Sequence, residues 1–268
     1  MFQKTKICKI IKILFILFVQ NFNICYSLCN KKEGEVMETL IICLLVVAIL
    51  FAILFVVFNG GQKSFLSLAF KCLASFAFTA LAMGIVLKRG YSIPAMLFLL
   101  GFVASCFGDT ILALPDMKEL EKQATTITLI GGLAFALAHV FYLAGMIMLF
   151  GFAWWTILIA IALGLVFFFG NKFIGKLNYG KLTYGMPVYA TFVSLVVAVS
   201  IMAFVAHAST TGAVMLLVGF ICFWLSDIVL MNIYFGNKPE KKNKLYYFNL
   251  ALYYAAQILV AMSLCFLL

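Results

Sequence analysis

From residue 37 onward the chain alternates between continuously apolar blocks of roughly twenty residues and short polar breaks. A block of that length is what a helix needs to cross about 30 Å of hydrocarbon. The blocks do not alternate apolar and polar positions residue by residue, which predicts helices and excludes a lipid-facing barrel. Eight spans are expected, at about 39–58, 64–87, 93–114, 126–149, 152–170, 187–207, 212–235 and 246–268. The expected fold class is an all-α polytopic membrane protein with eight transmembrane helices. The breaks are too short to hold a separate soluble domain, so 37–268 reads as one membrane domain. Residues 1–36 follow another plan. Lys4, Lys6, Lys9 and Lys12 lead into the short run ILFILFV and then into polar QNFN. That pattern fits a signal-like segment, a weak ninth span or an upstream extension with Met37 as the working start.

Composition agrees with lipid as the solvent. The chain is 66% apolar and 10% charged, whereas a soluble domain is nearer half apolar and about a quarter charged. The net charge of +10 would suit nucleic acid, but its placement argues for a bilayer instead. Lys63, Lys118, Lys122, Lys172, Lys176, Lys181, Lys238, Lys241, Lys242 and Lys244 fall in loops on one side of an eight-span arrangement. The opposite loops carry only Lys88 and Arg89. This asymmetry puts the lysine-rich loops in the cytosol. The expected partners are the lipid bilayer and a lipid substrate, with no nucleic acid. A bacterial cytoplasmic membrane and an endoplasmic reticulum both fit, and oligomeric state is not legible.

Against that apolar background, two acids stand out. Asp109 lies in GFVASCFGDTILAL and Asp227 in GFICFWLSDIVLMN, each within a span, while the other seven acids fall in the tail or in loops. A carboxylate at membrane depth costs several kcal/mol, so it marks a functional site by default. Shifting the chain on itself by 118 residues lays Gly101-Phe102 on Gly219-Phe220, Gly108 on Ser226, Asp109 on Asp227 and Leu112 on Leu230. The same shift lays Phe135 on Tyr253 and His139 on Gln257. Spans 3–4 thus align with spans 7–8, while spans 1–2 and 5–6 show little identity. Four spans per half make the repeats parallel, related by an axis along the membrane normal.

The strongly polar residues within the spans are Lys71, Asp109, His139, Asp227 and Gln257. At 1.5 Å rise per residue all five fall in the cytosolic half of the bilayer, and convergence on one buried site is the cheapest arrangement for them. Tyr142 shares the helix face of His139, Tyr254 that of Gln257, and Trp224 that of Asp227. These aromatics could wall a pocket for a lipid chain or a cationic head group; each could also be ordinary interhelical packing. Lys71 could neutralise an aspartate or snorkel to the interface, and Gln257 could be interhelical glue.

Two carboxyls sharing a low-dielectric cavity do not both ionise easily, which supplies a general acid beside a general base. A zinc hydrolase would want about three histidine or thiolate ligands. Only His139 has the right depth, and the eight cysteines mostly stand singly in apolar spans, so neither a metal nor another cofactor is expected.

The run GGLAFALAHVFY, the aspartates of GD and SD, SDIVL with Phe235 eight residues beyond Asp227, and YYAAQILV together resemble the YhhN-like lysoplasmalogenase family over about 60–268. Lys71 is similar to the lysine of a Lys-Pro pair in the family's second span, with Cys72 in place of the proline, and Met231 stands where alanine is common. The resemblance implies hydrolysis of the vinyl ether bond of a lysophospholipid, giving a fatty aldehyde and glycerophosphocholine or glycerophosphoethanolamine. Set on the residues above, that reaction would use Asp109 and Asp227 as an acid/base pair, either one being the acid, with His139 as proton relay or orienter. Lys71 would face the substrate phosphate and Gln257 would position water, with Tyr142, Tyr254 and Trp224 also binding substrate. The alternative is a proton-coupled transporter of a small molecule or lipid using the same acids, for which parallel repeats are a natural frame. An intramembrane aspartyl protease lacks its partner motif in WLSDIVL, and five convergent polar groups would be wasteful in a scaffold.

Overall fold

The computed structural model describes residues 35–59, 65–114, 124–180, 183–207, 210–236 and 239–268. The expected N-terminal extension lies outside the described residues except for its last two positions, which begin the first helix. Eight long helices follow: α1 (Glu35–Asn59), α2 (Phe65–Arg89), α3 (Ile93–Ala113), α4 (Ala124–Phe150), α5 (Trp155–Phe169), α6 (Met186–Ala206), α7 (Thr211–Phe235) and α8 (Pro239–Leu267). Each holds a stretch long and apolar enough to cross a membrane, α5 only together with the π-helical turn that continues it to Phe173. No strand occurs among the described residues. All eight agree with the expected spans to within a few residues, save that α8 begins earlier.

The side chains are sorted for a lipid solvent. Leu133, Trp154, Val188 and Val205 are largely exposed, whereas Lys71, Asp109, His139, Asp227 and Gln257 are buried. Backbone groups satisfy themselves within each helix, so apolar side chains can face lipid at no cost while charges turn inward.

The two halves repeat in three dimensions. Within the first half α1 packs on α2, α2 on α3 and α3 on α4; within the second, α5 packs on α6, α6 on α7 and α7 on α8. Between the halves, α2 packs on α8 and α4 on α6, while α1 also packs on α8 without an equal pairing of α5 with α4. The first two contacts exchange under a twofold operation, as a parallel four-plus-four repeat requires.

Local chemistry repeats at the same offset of 118 residues. Ser92 caps α3 by accepting from the Ala95 amide at 3.3 Å, and Thr210 caps α7 by accepting from the Ala213 amide at 3.4 Å. Gly101 and Gly219 each let the third helix of a half approach the fourth. A Cβ on Gly101 would fall into the Tyr142 ring, and one on Gly219 would lie 2.8 Å from Val260 Cγ2. Small residues at such crossings replace the hydrophobic drive that lipid does not supply.

Two features are not repeated. The end of α5 continues as a π-helical turn, Gly170–Ile174, which periodicity alone does not announce. In the first half Lys88 donates to Glu38 at 2.7 Å and ties α2 to α1.

Candidate functional site

Asp109 lies on α3 one residue after Gly108, where the absent side chain makes room for the Phe135 ring of α4. Its carboxylate is 3% exposed. Lys71 of α2 stands with Nζ 3.8 Å from Oδ1. Ser75, one turn further along α2, donates to Oδ2 at 2.5 Å, and Tyr253 of α8 donates to the same oxygen at 2.7 Å. One cation and two hydroxyls from two other helices therefore compensate this carboxylate, the arrangement a buried charge requires.

The network continues from there. Gln257 Nε2 donates to the Tyr253 hydroxyl at 3.0 Å, and Tyr142 donates to Gln257 Oε1 at 3.2 Å. Ser105 lies 3.4 Å from the Tyr142 hydroxyl. Lys71, Asp109, Tyr142 and Gln257 are thus joined, through Ser75 and Tyr253, into one buried polar chain across α2, α3, α4 and α8. Tyr254 adjoins it, edge-on to Tyr253 and Phe55. Its hydroxyl is buried beside Ser75, which itself donates to Asp109.

His139 lies beside this chain. Its Nδ1 is 2.8 Å from the Phe135 carbonyl oxygen. A carbonyl only accepts, so Nδ1 carries the hydrogen and Nε2 keeps its lone pair. The ring lies 4.6 Å from the Phe223 ring in an edge contact, and Phe223 and Phe135 both meet the Tyr253 ring, at 5.5 and 5.7 Å. Phe135 and Tyr253 are mates under the repeat, so their mutual contact puts both near the pseudo-twofold axis.

Asp227 sits one turn beyond Phe223 on α7 and is 4% exposed. Its Oδ2 accepts from the Tyr189 hydroxyl of α6 at 3.1 Å. Tyr189 lies 118 residues after Lys71, so each half presents a second-helix residue to its third-helix acid, a lysine in one case and a phenol in the other. The neighbouring Ser226 is tied to α8, where Asn249 Nδ2 donates to its carbonyl at 2.7 Å and to Oγ at 2.9 Å.

The two carboxyls do not share a hydrogen bond, and α3 and α7 are not among the helix pairs that pack along one another. A chain of contacts leads from one to the other through Tyr253 and Phe223. Convergence is therefore of two polar sets on one aromatic cluster, rather than of five groups at one point. The reason is helix rotation, since the Asp227 face of α7 meets Tyr189 of α6. Trp224 turns the same way, donating from Nε1 to Ser194 of α6 at 2.8 Å and packing on Phe167 of α5. It stands apart from the Asp109 set.

Lys71 lies against Asp109, as the neutralising alternative expected. Sequence reading missed Ser75, Tyr189 and the hydroxyl role of Tyr253. The offset that pairs the aspartates also pairs Lys71 with Tyr189, and would have found it.

Eight membrane-length helices in two pseudo-equivalent halves, with a carboxyl buried in each, define an integral multi-pass membrane protein built around an internal polar site. The sequence model described as YhhN family matches residues 66–264, which takes in both aspartates and the residues that hydrogen-bond or pair with them. The chain belongs to the YhhN family. No curated protein and no solved structure matches it.

Proposed function

We propose that the chain hydrolyses the vinyl ether bond of lysoplasmalogens, releasing a fatty aldehyde and glycerophosphocholine or glycerophosphoethanolamine. Family membership supports a hydrolase of this type, and the observation that carries the reading is the unequal compensation of two buried carboxyls. Among the described residues Asp109 has a lysine and two hydroxyl donors, and Asp227 has one phenol and no cation. Ionising Asp227 would leave a charge at membrane depth without a counter-charge, so Asp227 is the proton donor in this reading.

Vinyl ether hydrolysis begins with proton transfer to the β-carbon, which leaves an oxocarbenium ion. The Asp227 carboxylate that remains stabilises that cation. Water adds to the cationic carbon and gives up a proton, giving a hemiacetal. His139 Nε2 is the free acceptor for that proton and relays it back to Asp227. Tyr254 and Gln257 orient the water, and Tyr142 fixes Gln257. Collapse of the hemiacetal releases aldehyde and the glycerol hydroxyl, with no net change in protons. The site opens to the cytosolic side in this reading, as the lysine-rich loops suggest.

The test is a coupled aldehyde assay on purified protein with a 1-alkenyl lysolipid against its 1-acyl analogue. Aldehyde should come from the alkenyl lipid alone, and Asp109→Asn and Asp227→Asn should each lose it while still inserting. Near-wild-type rates in both variants would overturn the assignment. The reciprocal packing of the two halves favours a second reading, a proton-coupled transporter. That one requires substrate-dependent proton flux in liposomes and no aldehyde in detergent.

A further inference from the structure

The polar groups around the two aspartates leave one part of a lysophospholipid without a recognised partner. Lys71, the cation nearest the acids, lies against Asp109, which leaves the phosphate unaccounted for. A second polar site lies at the end of α5. Asn171, in the π-helical turn, is 3% exposed, and Tyr179, in the loop after it, is 4% exposed. The Asn171 Nδ2 and the Tyr179 hydroxyl are buried and have no hydrogen-bond partner. Two buried orphan donors in one short segment are costly unless something fills them, and π-helical turns concentrate at functional sites.

Both groups are held in place rather than loosely packed. Asn232 of α7 donates to Asn171 Oδ1 at 2.6 Å and to the Ile228 carbonyl at 2.9 Å. That fixes the Asn171 amide with its NH2 free. The Tyr179 ring stacks on Phe168 and meets Phe235 of α7 edge-on, at 6.0 and 5.3 Å. Burial pushes the Tyr179 phenol up to about 12, so it stays a donor at physiological pH. Lys172 holds its ammonium 5.5 Å from the same Phe168 ring, and Lys176, exposed, follows the turn. Neutral donors beside lysines make a setting for an anion.

We infer that Asn171 Nδ2 and Tyr179 OH bind the phosphate of the substrate's head group, an inference that rests on the lysolipid reading above. The spacing agrees with it. Asn232 follows Asp227 by five residues on α7, a rise of about 7.5 Å. Five bonds separate the ether oxygen from phosphorus in a lysoplasmalogen, on the order of 6 Å when extended. A lipid with its vinyl ether at Asp227 therefore has its phosphate at about the depth of Asn232, whose amide holds Asn171.

The probes are a non-hydrolysable 1-O-alkyl glycerophosphocholine, the matching 1-O-alkylglycerol without phosphate, and inorganic phosphate, with melting of the full chain in detergent as the readout. The phosphate-bearing lipid should raise the melting temperature of the wild type well above the effect of either other probe. Tyr179→Phe keeps the ring and deletes only the orphan hydroxyl, so the ligand-free protein should melt no lower, yet lose the phosphate-dependent rise. Asn171→Asp keeps the acceptor for Asn232 and puts an anion where the donor was, and should lose the rise as well. In turnover with the alkenyl lipid, Tyr179→Phe should raise KM roughly tenfold or more, the effect falling on KM rather than kcat.

Unchanged KM and an unchanged lipid-induced rise in both variants would overturn the subsite. So would a lower melting temperature of ligand-free Tyr179→Phe with KM unchanged, which is the signature of a water-satisfied structural hydroxyl. An equal rise with inorganic phosphate alone would make it an ion site and end the head-group assignment. If the wild type binds the phosphate-bearing lipid through these residues but releases no aldehyde, the subsite stands and the hydrolysis reading fails.

Discussion

The two halves of the bundle put the same acid in the same place and surround it differently. In the first half Asp109 meets Lys71, Ser75 and Tyr253, and the bonds run on through Gln257 to Tyr142. In the second, Asp227 meets Tyr189, and among the described residues nothing continues the chain. The scaffold is common to both, down to the N-caps Ser92 and Thr210 and the crossing glycines Gly101 and Gly219. What has diverged is the compensation of charge. A duplicated frame supplies two carboxyls at corresponding positions, and three exchanges around them, Lys71 against Tyr189, Ser75 against Val193 and Tyr253 against Phe135, set their compensation apart. A carboxylate with a cation beside it can stay charged inside a membrane; one with only a phenol has reason to hold a proton.

The sharpest way to break this comparison is to remove each carboxyl's charge in turn. Asp227→Asn should lower kcat by roughly 10²–10⁴, the usual reach of a positioned acid, while melting within a degree or two of the wild type. Asp109→Asn should lose rate and stability together, because it strands Lys71. Equal effects on stability in the two variants would mean that the halves do not differ as described.

Lys71→Met tests the first half alone. Breaking one side of a buried ion pair costs about 3–5 kcal/mol, and denaturant unfolding in micelles would read it. Adding Asp109→Asn to Lys71→Met should recover much of that loss, since neither charge is then left unpaired. A double variant as unstable as the sum of the singles would show that the pair is not a unit.

Tyr189→Lys makes the second half resemble the first. An ammonium beside Asp227 would favour its charged form, so turnover should fall roughly tenfold or more although the fold persists. Undiminished aldehyde release would remove Asp227 as proton donor. The smallest effect belongs to Tyr189→Phe, which deletes one hydrogen bond and should cost about 1 kcal/mol of stability. A cost matching that of Lys71→Met would erase the asymmetry between the halves.

The family resemblance rested on short runs around these same acids, GD, SDIVL and YYAAQILV, and the family match spans both halves. The runs identified the acids because a charged residue in an apolar block is visible without any structure. They did not identify Tyr189 or the π-helical turn. A tyrosine or an asparagine near a span end is an ordinary sight, and only its neighbours make it more than that.

The sequence by itself determined eight helices, their ends to within a few residues for most, the repeat, and the burial of Asp109 and Asp227. These follow from properties local to the chain: a hydrocarbon layer fixes the length of an apolar block, and a backbone in lipid must bond to itself. Only the tertiary structure decided which partners each carboxyl meets, that Tyr253 of one acid's set packs on Phe223, one turn before the other acid, and that Asn171 and Tyr179 are left with unfilled donors. Those outcomes depend on how far each helix is rotated about its axis and where it crosses its neighbours. A side chain can reach any of several helices at the same depth, and depth is the coordinate that hydropathy encodes.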